Sequence, residues 1–201
     1  DYRDVAGLKF PMKIAQTQGG FPVLDLAVRD VVPNALADIA LPDAVRNATE
    51  RVTADKVADG VWFIAGGSHN SVAIEMKDHI ILVETPLNDG RSVPVLEQVK
   101  KLAPGKPIRT VINSHAHFDH SGGLRSAVAE GATIITQAQN KAYFEQAFAV
   151  PNTIAPDQMA KSGRKPKIRG VDEKLVLTDG TRSVELHRVS DSHHTDSFLI
   201  V

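Results

Sequence analysis

The chain has 201 residues, of which 42% are apolar and 23% charged, and its formal net charge is −1. That length can bury one sizeable core, and the near-zero charge gives no general attraction to nucleic acid or to anionic membranes. The absence of cysteine excludes disulfides, thiolate metal ligands and cysteine nucleophiles from this sequence, and no apolar run approaches the ~20 residues of a membrane span.

Residues 1–48 predict a β-hairpin followed by a linker. Alternating apolar residues predict strands over residues 8–16 and 23–32, a glycine pair between them supplies a turn, and residues 33–47 have the composition of a linker. Because a lone hairpin is only marginally stable, these strands need a partner. The favoured interpretation is that residues 1–48 finish an upstream domain, and the alternative is that they add to the domain that follows.

Residues 49–201 predict a layered α/β domain, because helices and strands alternate and antiparallel stretches flank them. Ser92 is the expected N-cap of the first helix. The chain starts at Asp1 rather than Met, and its last residues, 197–201, read as a strand stopped midway, so we expect a fragment. The predicted strands cover residues 60–64, 71–77, 79–84, 108–112, 132–135, 174–177, 183–189 and 198–201, and the predicted helices cover residues 93–102, 122–130 and 137–149.

Four potential metal ligands lie within six residues, directly after the predicted strand 108–112: His115, His117, Asp119 and His120. In extended backbone, His115 and His117 point to the same side, and the turn into the next helix brings the other two from a different direction. A single loop histidine is usually solvated, but three imidazoles and a carboxylate at this density match the ligand preference of zinc. The segment therefore predicts a metal site.

Residues 113–123, NSHAHFDHSGG, resemble the His-x-His-x-Asp-His signature of the metallo-β-lactamase superfamily, and the resemblance extends over about residues 50–201. It implies a four-layer αββα sandwich with the metal site at one edge of its two sheets, here incomplete at the C-terminus. It also implies that His115 and His117 bind one metal together with a third, more distant histidine. Asp119 and His120 would then serve a second metal.

Three downstream histidines are candidates for the third ligand: His187, His193 and His194. His187 alternates with polar residues inside a predicted strand, which indicates a surface position. His194 is favoured over His193, because His194-Thr195 before an apolar strand resembles the family's Gly-His-Thr element. The bridging Asp and the last His of two-metal relatives have no counterpart here. Whether the site binds one metal ion or two is therefore open.

The resemblance implies a zinc-dependent hydrolase in which a metal-activated hydroxide attacks a small ester, amide, lactam or thioester substrate. Asp119 would be the catalytic residue that orients the nucleophile. The alternatives are a mononuclear-iron dioxygenase of the same fold and a non-catalytic metal-binding module. The sequence leaves open the substrate, the oligomeric state and the compartment, which is exported, periplasmic or cytoplasmic.

Three further features carry weaker expectations. In the family that the chain resembles, the loop corresponding to that of His69 can overhang the site and contact substrate, although an exposed turn residue is the favoured interpretation. Glu84 falls where members of that family often have an Asp that supports the metal loop by hydrogen bonds, and the alternative is an exposed acid at the end of a strand. A basic cluster could contact phosphates, but a solvated connection is favoured and no nucleic-acid partner is expected. The cluster consists of Lys161, Arg164, Lys165, Lys167 and Arg169.

Overall fold

The computed structural model describes residues 1–36 and 38–201, and the chain separates into two units, Asp1–Ala48 and Thr49–Val201. The first unit contains two antiparallel hairpins and a one-turn helix. In this unit β1 (Tyr2–Val5) pairs with β2 (Leu8–Pro11), β3 (Lys13–Gln18) pairs with β4 (Phe21–Ala27), and α1 (Asp43–Arg46) follows.

The strand predicted over residues 8–16 is two strands, because the chain changes its pairing partner at Met12. The Met12 backbone N–H donates to the carbonyl of Asp1 at 2.9 Å, and the Met12 carbonyl accepts from the backbone N–H of Val28 at 2.8 Å. The second predicted strand is shorter than expected and ends at Ala27. Residue 37 of the predicted linker lies outside the described residues. The assignment of this unit to an upstream domain stays a prediction.

The second unit contains ten strands and five helices among its described elements. The strands are β5 (Thr53–Ala58), β6 (Val61–Ala65), β7 (Ser71–Glu75), β8 (Ile80–Val83), β9 (Ile108–Ile112), β10 (Thr133–Gln137), β11 (Lys167–Val171), β12 (Lys174–Thr178), β13 (Ser183–Val189) and β14 (Phe198–Ile200). The helices are α2 (Asp89–Leu102), α3 (Phe118–Ser121), α4 (Leu124–Glu130), α5 (Asn140–Ala149) and α6 (Gln158–Ser162).

These strands form two sheets. The larger has seven strands in the order β11-β10-β9-β8-β7-β6-β5, and the smaller has three in the order β12-β13-β14. Within the larger sheet, β8 to β11 run parallel to one another, whereas β5 to β8 are successive antiparallel neighbours. The predicted α/β class with antiparallel flanks is confirmed.

Alternate residues of the central strands serve two separate apolar layers, as the period-2 geometry of a strand requires. On β8, Leu82 faces the helices and Ile81 faces the smaller sheet, and on β10 Ile134 and Ile135 divide in the same way. Helices α2, α4, α5 and α6 all contribute to the first layer. The smaller sheet closes the second with Val184, Leu186 and Leu199. Helices, large sheet and small sheet thus form three successive layers of the expected sandwich.

Helix α2 and the basic segment differ from the sequence predictions, and β5, β11, α3 and α6 were not predicted. Helix α2 begins at Asp89 rather than near residue 93, and its N-cap is Asn88, whose side chain accepts from the backbone N–H of Arg91. The basic segment is only partly a connection, because Lys167 and Arg169 are exposed residues of the edge strand β11. Across residues 1–36 and 38–201, no helix combines the length and apolar character needed to cross a bilayer.

Candidate metal centre

The histidine-rich loop leaves the carboxyl end of β9 in the middle of the larger sheet, where open α/β sheets usually bind ligands. His115 is 1% exposed, and its ring lies 5.2 Å from that of Phe198 on β14. His117 has extended backbone, with φ −61° and ψ 142°, and forms the N-cap of α3. The short helix then turns Asp119 and His120 back toward the same edge.

Three imidazoles from two distant parts of the chain converge at this edge. The Nε2 atom of His194 lies 2.9 Å from Nε2 of His115 and 3.1 Å from Nδ1 of His117. The three rings have centroid separations of 4.6 to 4.7 Å. All three candidate ligand atoms lie within 4.8 Å of one another, so these residues form one group that could hold a metal ion.

A second group of the same kind adjoins the first. It consists of His69, Asp119 and His120, and its candidate ligand atoms also lie within 4.8 Å of one another. Oδ2 of Asp119 is 3.0 Å from Nε2 of His69 and 3.7 Å from Nε2 of His120. The two groups are neighbours, because the ring centroids of His115 and His120 are 4.3 Å apart.

The structure distinguishes the three downstream candidates for the third metal ligand. His194 joins the first group, whereas the ring of His187 lies on β13 and is hydrogen-bonded to Oε2 of Glu185 at 2.9 Å. Neither three-residue group found in residues 1–36 and 38–201 contains His193. The sequence did not indicate that His69 lies beside Asp119. The two are 50 residues apart, so their contact depends on sheet topology and leaves no local pattern.

Buried polar side chains hold the start of the loop in place. Oε1 of Glu84 accepts from the backbone N–H of Ser114 at 2.7 Å, and the Asn113 side-chain amide donates to the carbonyl of His115 at 2.7 Å. Oε1 of Glu84 also lies 3.9 Å from Nδ1 of His120. Glu84 adopts φ 68°, an unusual conformation for a residue other than glycine, and its contacts with the loop compensate for that strain. This position matches the supporting role expected for Glu84.

Burial, followed by the charges of neighbouring histidines, lowers the pKa of His115 to about 4. Burial also lowers the pKa of His120, although the charge of Asp119 opposes the change. Both rings are therefore neutral near pH 7, which is the protonation state that a metal requires of an imidazole ligand.

The pKa values of the two carboxylates at the site, Glu84 and Asp119, are shifted in opposite directions. Burial raises the pKa of Glu84 to about 7, and the hydrogen bonds from the Asn113–Ser114 segment offset it only in part. Desolvation acts to raise the pKa of Asp119 as well, but a backbone hydrogen bond, the charge of His120 and the contact with His69 lower it overall. Asp119 is therefore a charged acceptor at neutral pH.

The donor atoms fit a zinc ion. Ligand atoms at ~2.0–2.1 Å from a tetrahedral zinc lie ~3.3–3.4 Å apart. The nitrogen separations of 2.9 and 3.1 Å around His194 are close to that value. Three protein ligands leave the fourth position open, which is the arrangement of catalytic rather than structural zinc.

The sequence profile of the metallo-β-lactamase superfamily matches residues 64–199, more than half of the chain. An alkyl/aryl-sulfatase of Saccharomyces cerevisiae is 33% identical over 76 residues, which are 37% of this chain and 12% of the sulfatase. A linear primary-alkylsulfatase of a Pseudomonas species is 32% identical over 76 residues, 37% of this chain and 11% of that enzyme. The α subunit of a 2,4-dinitroanisole O-demethylase of a Nocardioides species is 32% identical over 71 residues, 35% of this chain and 22% of the subunit.

The matched segments thus span less than a quarter of each of these relatives. Among solved structures, a metallo-β-lactamase from Pontibacter korlensis has a TM-score of 0.56 at 13% identity, covering 74% of this chain and 65% of that one. The metallo-β-lactamase FIM-1 from Pseudomonas aeruginosa, in its mono-zinc form, has a TM-score of 0.52 at 20% identity, covering 75% and 64%. At these identities the two similarities establish a shared fold and nothing about activity.

Proposed function

This chain belongs to the metallo-β-lactamase superfamily, and we propose that it is a zinc-dependent hydrolase of a small ester, amide, lactam or thioester substrate. The observation that carries the proposal is the convergence of His115, His117 and His194, whose nitrogens meet at separations of 2.9 and 3.1 Å beside a charged carboxylate. Three imidazoles held so close together have no structural role in the described residues, because they neither form an apolar cluster nor pair with acids.

When bound, zinc supplies Lewis acidity and activates water for attack on an electrophilic centre. Asp119 is the residue that holds the attacking water in line and accepts its proton, because its carboxylate is ionised at neutral pH and 44% of its side chain is exposed. Glu84 and Asn113 act indirectly, since they fix the backbone from which the histidines project.

Sulfate esters are a second candidate substrate class. Two of the relatives are named as sulfatases, one an alkyl/aryl-sulfatase and the other a linear primary-alkylsulfatase. They are 33% and 32% identical to this chain over 76 residues. A sulfuryl centre is attacked by the same activated water as an acyl carbonyl, so the proposed residue roles would not change.

The test is a set of single alanine variants assayed for bound metal and for hydrolysis. The substrate panel should contain a 4-nitrophenyl ester, a thioester, a β-lactam and a primary alkyl sulfate. We expect zinc in the purified protein and turnover of at least one class. His115→Ala and His194→Ala should each weaken zinc binding by more than about 100-fold, because loss of even an outer-shell partner costs about 10–100-fold.

His193→Ala is the matched control, because it removes the imidazole next to His194 and should keep both metal and activity. Hydrolysis retained in a zinc-free His115→Ala/His194→Ala double variant would reject the proposal. Iron in the purified protein, together with oxygen consumption, would instead support the dioxygenase alternative.

A further inference from the structure

His69 lies in the β6–β7 loop (residues 66–70), far in sequence from the histidine-rich segment. Its Nε2 atom is nevertheless 3.0 Å from Oδ2 of Asp119, and its ring meets that of His120 edge-on at a centroid distance of 5.6 Å. Its side chain is 29% exposed, so it is partly withdrawn from solvent. The contact therefore brings a third candidate metal ligand to Asp119 and His120.

The spacing of these atoms includes one hydrogen-bond distance and also accommodates a metal ion. Oδ2 of Asp119 has one imidazole Nε2 at 3.0 Å and another at 3.7 Å. These two distances bracket the ~3.3–3.4 Å expected between ligands of a tetrahedral zinc. Two nitrogens and one carboxylate oxygen are also a ligand set that zinc favours.

The other ring nitrogen of His69 has a partner of its own. Nδ1 lies 2.7 Å from Oγ of Ser68. A histidine that binds metal through one nitrogen usually donates the N–H of the other to a neighbouring acceptor, which fixes both the tautomer and the ring orientation. Ser68 can supply that acceptor, and in the tautomer with the proton on Nδ1 the Nε2 lone pair is directed toward Asp119 and His120.

The loop that carries His69 is anchored before any metal binds. The guanidinium of Arg91 is 2% exposed, and it donates to the carbonyls of Ala65 and His69, each at 3.2 Å. Arg91 also bonds Oε1 of Glu50 at 3.1 Å and the carbonyl of Arg51 at 2.7 Å. A buried charge with four acceptors holds the backbone at both ends of the loop, and this preorganisation favours a defined metal site.

We propose that His69 is a metal ligand, and that it completes a second three-ligand site with Asp119 and His120 beside the first. The inference rests on the proposed metal-dependent function and adds a residue to it. The second ion would bind next to the first, because His115 and His120 are in ring contact. Two adjacent ions can polarise both the attacking and the leaving groups of a hydrolysed bond.

The experiment titrates the metal-stripped 201-residue chain with Zn²⁺ against a chromophoric chelator, and with Co²⁺ followed by visible absorption. The unmodified protein should bind two equivalents. His69→Ala should keep the first and weaken the second by at least about 100-fold, a larger loss than an outer-shell partner gives. The Co²⁺ spectrum of the second equivalent should be lost as well.

His69→Gln separates a ligand from a hydrogen-bonding partner, because its amide can still donate to Asp119 but is a poor zinc ligand. We expect His69→Gln to lose the second equivalent as His69→Ala does, while His187→Ala, which removes an exposed histidine on β13, keeps both. Circular dichroism checks that each variant is folded.

A single equivalent in the unmodified protein overturns the inference, and so does a loss smaller than about 100-fold in His69→Gln. The latter result would leave His69 as a positioning residue of Asp119. Failure of the proposed function has a different signature: His115→Ala would then retain the first equivalent, whatever the His69 variants do.

Discussion

Gly122 and Gly123, at the end of the histidine-rich motif, are required by close packing rather than by backbone conformation. Their φ angles are −64° and −96°, which any residue can adopt. A Cβ on Gly123 would overlap the side chain of Ser92 on α2, and a Cβ on Gly122 would overlap the carbonyl of Leu87. The contacts that require glycine come from Leu87 and from Ser92 on α2, which are distant in sequence.

Gly123→Ala should therefore destabilise the protein by at least about 2 kcal/mol, because overpacking a filled site forces side chains and backbone to shift. Urea unfolding measures the change. Ser92→Gly removes the two nearest atoms that the new methyl group would meet and leaves only the Thr85 carbonyl, at 2.8 Å, within 3 Å among the closest contacts. The double variant should therefore lose less stability than the sum of the two single changes. Strictly additive effects would show that the Ser92 contact does not cause the strain.

At the level of single residues, the sequence predicted what was local and missed what was not. His115 and His117 follow a buried strand at fixed spacing, so their common direction could be predicted from period-2 geometry. His194 could be proposed through the resemblance of its surroundings. The approach of His69 to Asp119 could not, because it depends on the antiparallel pairing of β6 and β7 within the larger sheet.

Among the elements, helix α2 shows why a helix start is hard to predict from capping residues alone. Ser92 is a good N-cap by residue type, but it is buried within the helix, where its hydroxyl donates to the carbonyl of Pro86 at 2.8 Å. Asn88 caps the helix one turn earlier. This extra turn carries Arg91 into the interior, where it reaches the β6–β7 loop.

Replacing Arg91 with Met keeps much of the buried volume but removes the hydrogen bonds that the guanidinium donates to the loop. We expect a loss of at least about 2 kcal/mol, because buried carbonyl acceptors are left without donors. The β6–β7 loop should exchange its amide hydrogens faster, and hydrogen-exchange mass spectrometry of residues 65–71 measures this. Arg109→Met is the control: its ion pair with Asp78 is exposed and should contribute less than about 1 kcal/mol. Unchanged exchange in Arg91→Met would contradict the anchoring role.

In the second unit, the strands that were not predicted, β5 and β11, lie at the two edges of the larger sheet. Edge strands are covered on fewer sides and therefore carry more polar residues, which weakens the apolar alternation that identifies a strand. The central strands β8 and β9 were predicted closely. Burial of β8 on both faces gives a continuous apolar run, and the β-branched residues of β9 identify a strand although Arg109 is exposed.

In the second unit, polar contacts as well as the apolar layer hold the two sheets together. The turn between β12 and β13 also ties the smaller sheet to the larger one. Oδ2 of Asp179 in this turn accepts from the backbone N–H of Lys77 at 2.5 Å, and Oδ1 accepts from the N–H groups of Thr181 and Arg182. Arg182 in turn donates to the carbonyl of Asp59 at 2.5 Å. No local sequence pattern predicts this polar tie, because its partners are about 100 residues apart.

Asp179→Ala tests whether this contact between the two sheets depends on the charge of the Asp179 carboxylate. The Thr181 hydroxyl, followed by the backbone donors of Arg182, Thr181 and Lys77, holds the pKa of Asp179 well below its usual range. An acid whose pKa is lowered on folding stabilises the folded state above its unfolded pKa of about 3.9, and that contribution is lost as the pH falls through the folded value. The unmodified protein should therefore have the higher urea midpoint at pH 7, and the gap to Asp179→Ala should shrink below about pH 4. Asp55→Ala, on the exposed face of β5, should show only a small gap at pH 7. A gap for Asp179→Ala that stays constant from pH 7 to pH 2 would mean that packing of the turn, and not the carboxylate charge, joins the two sheets.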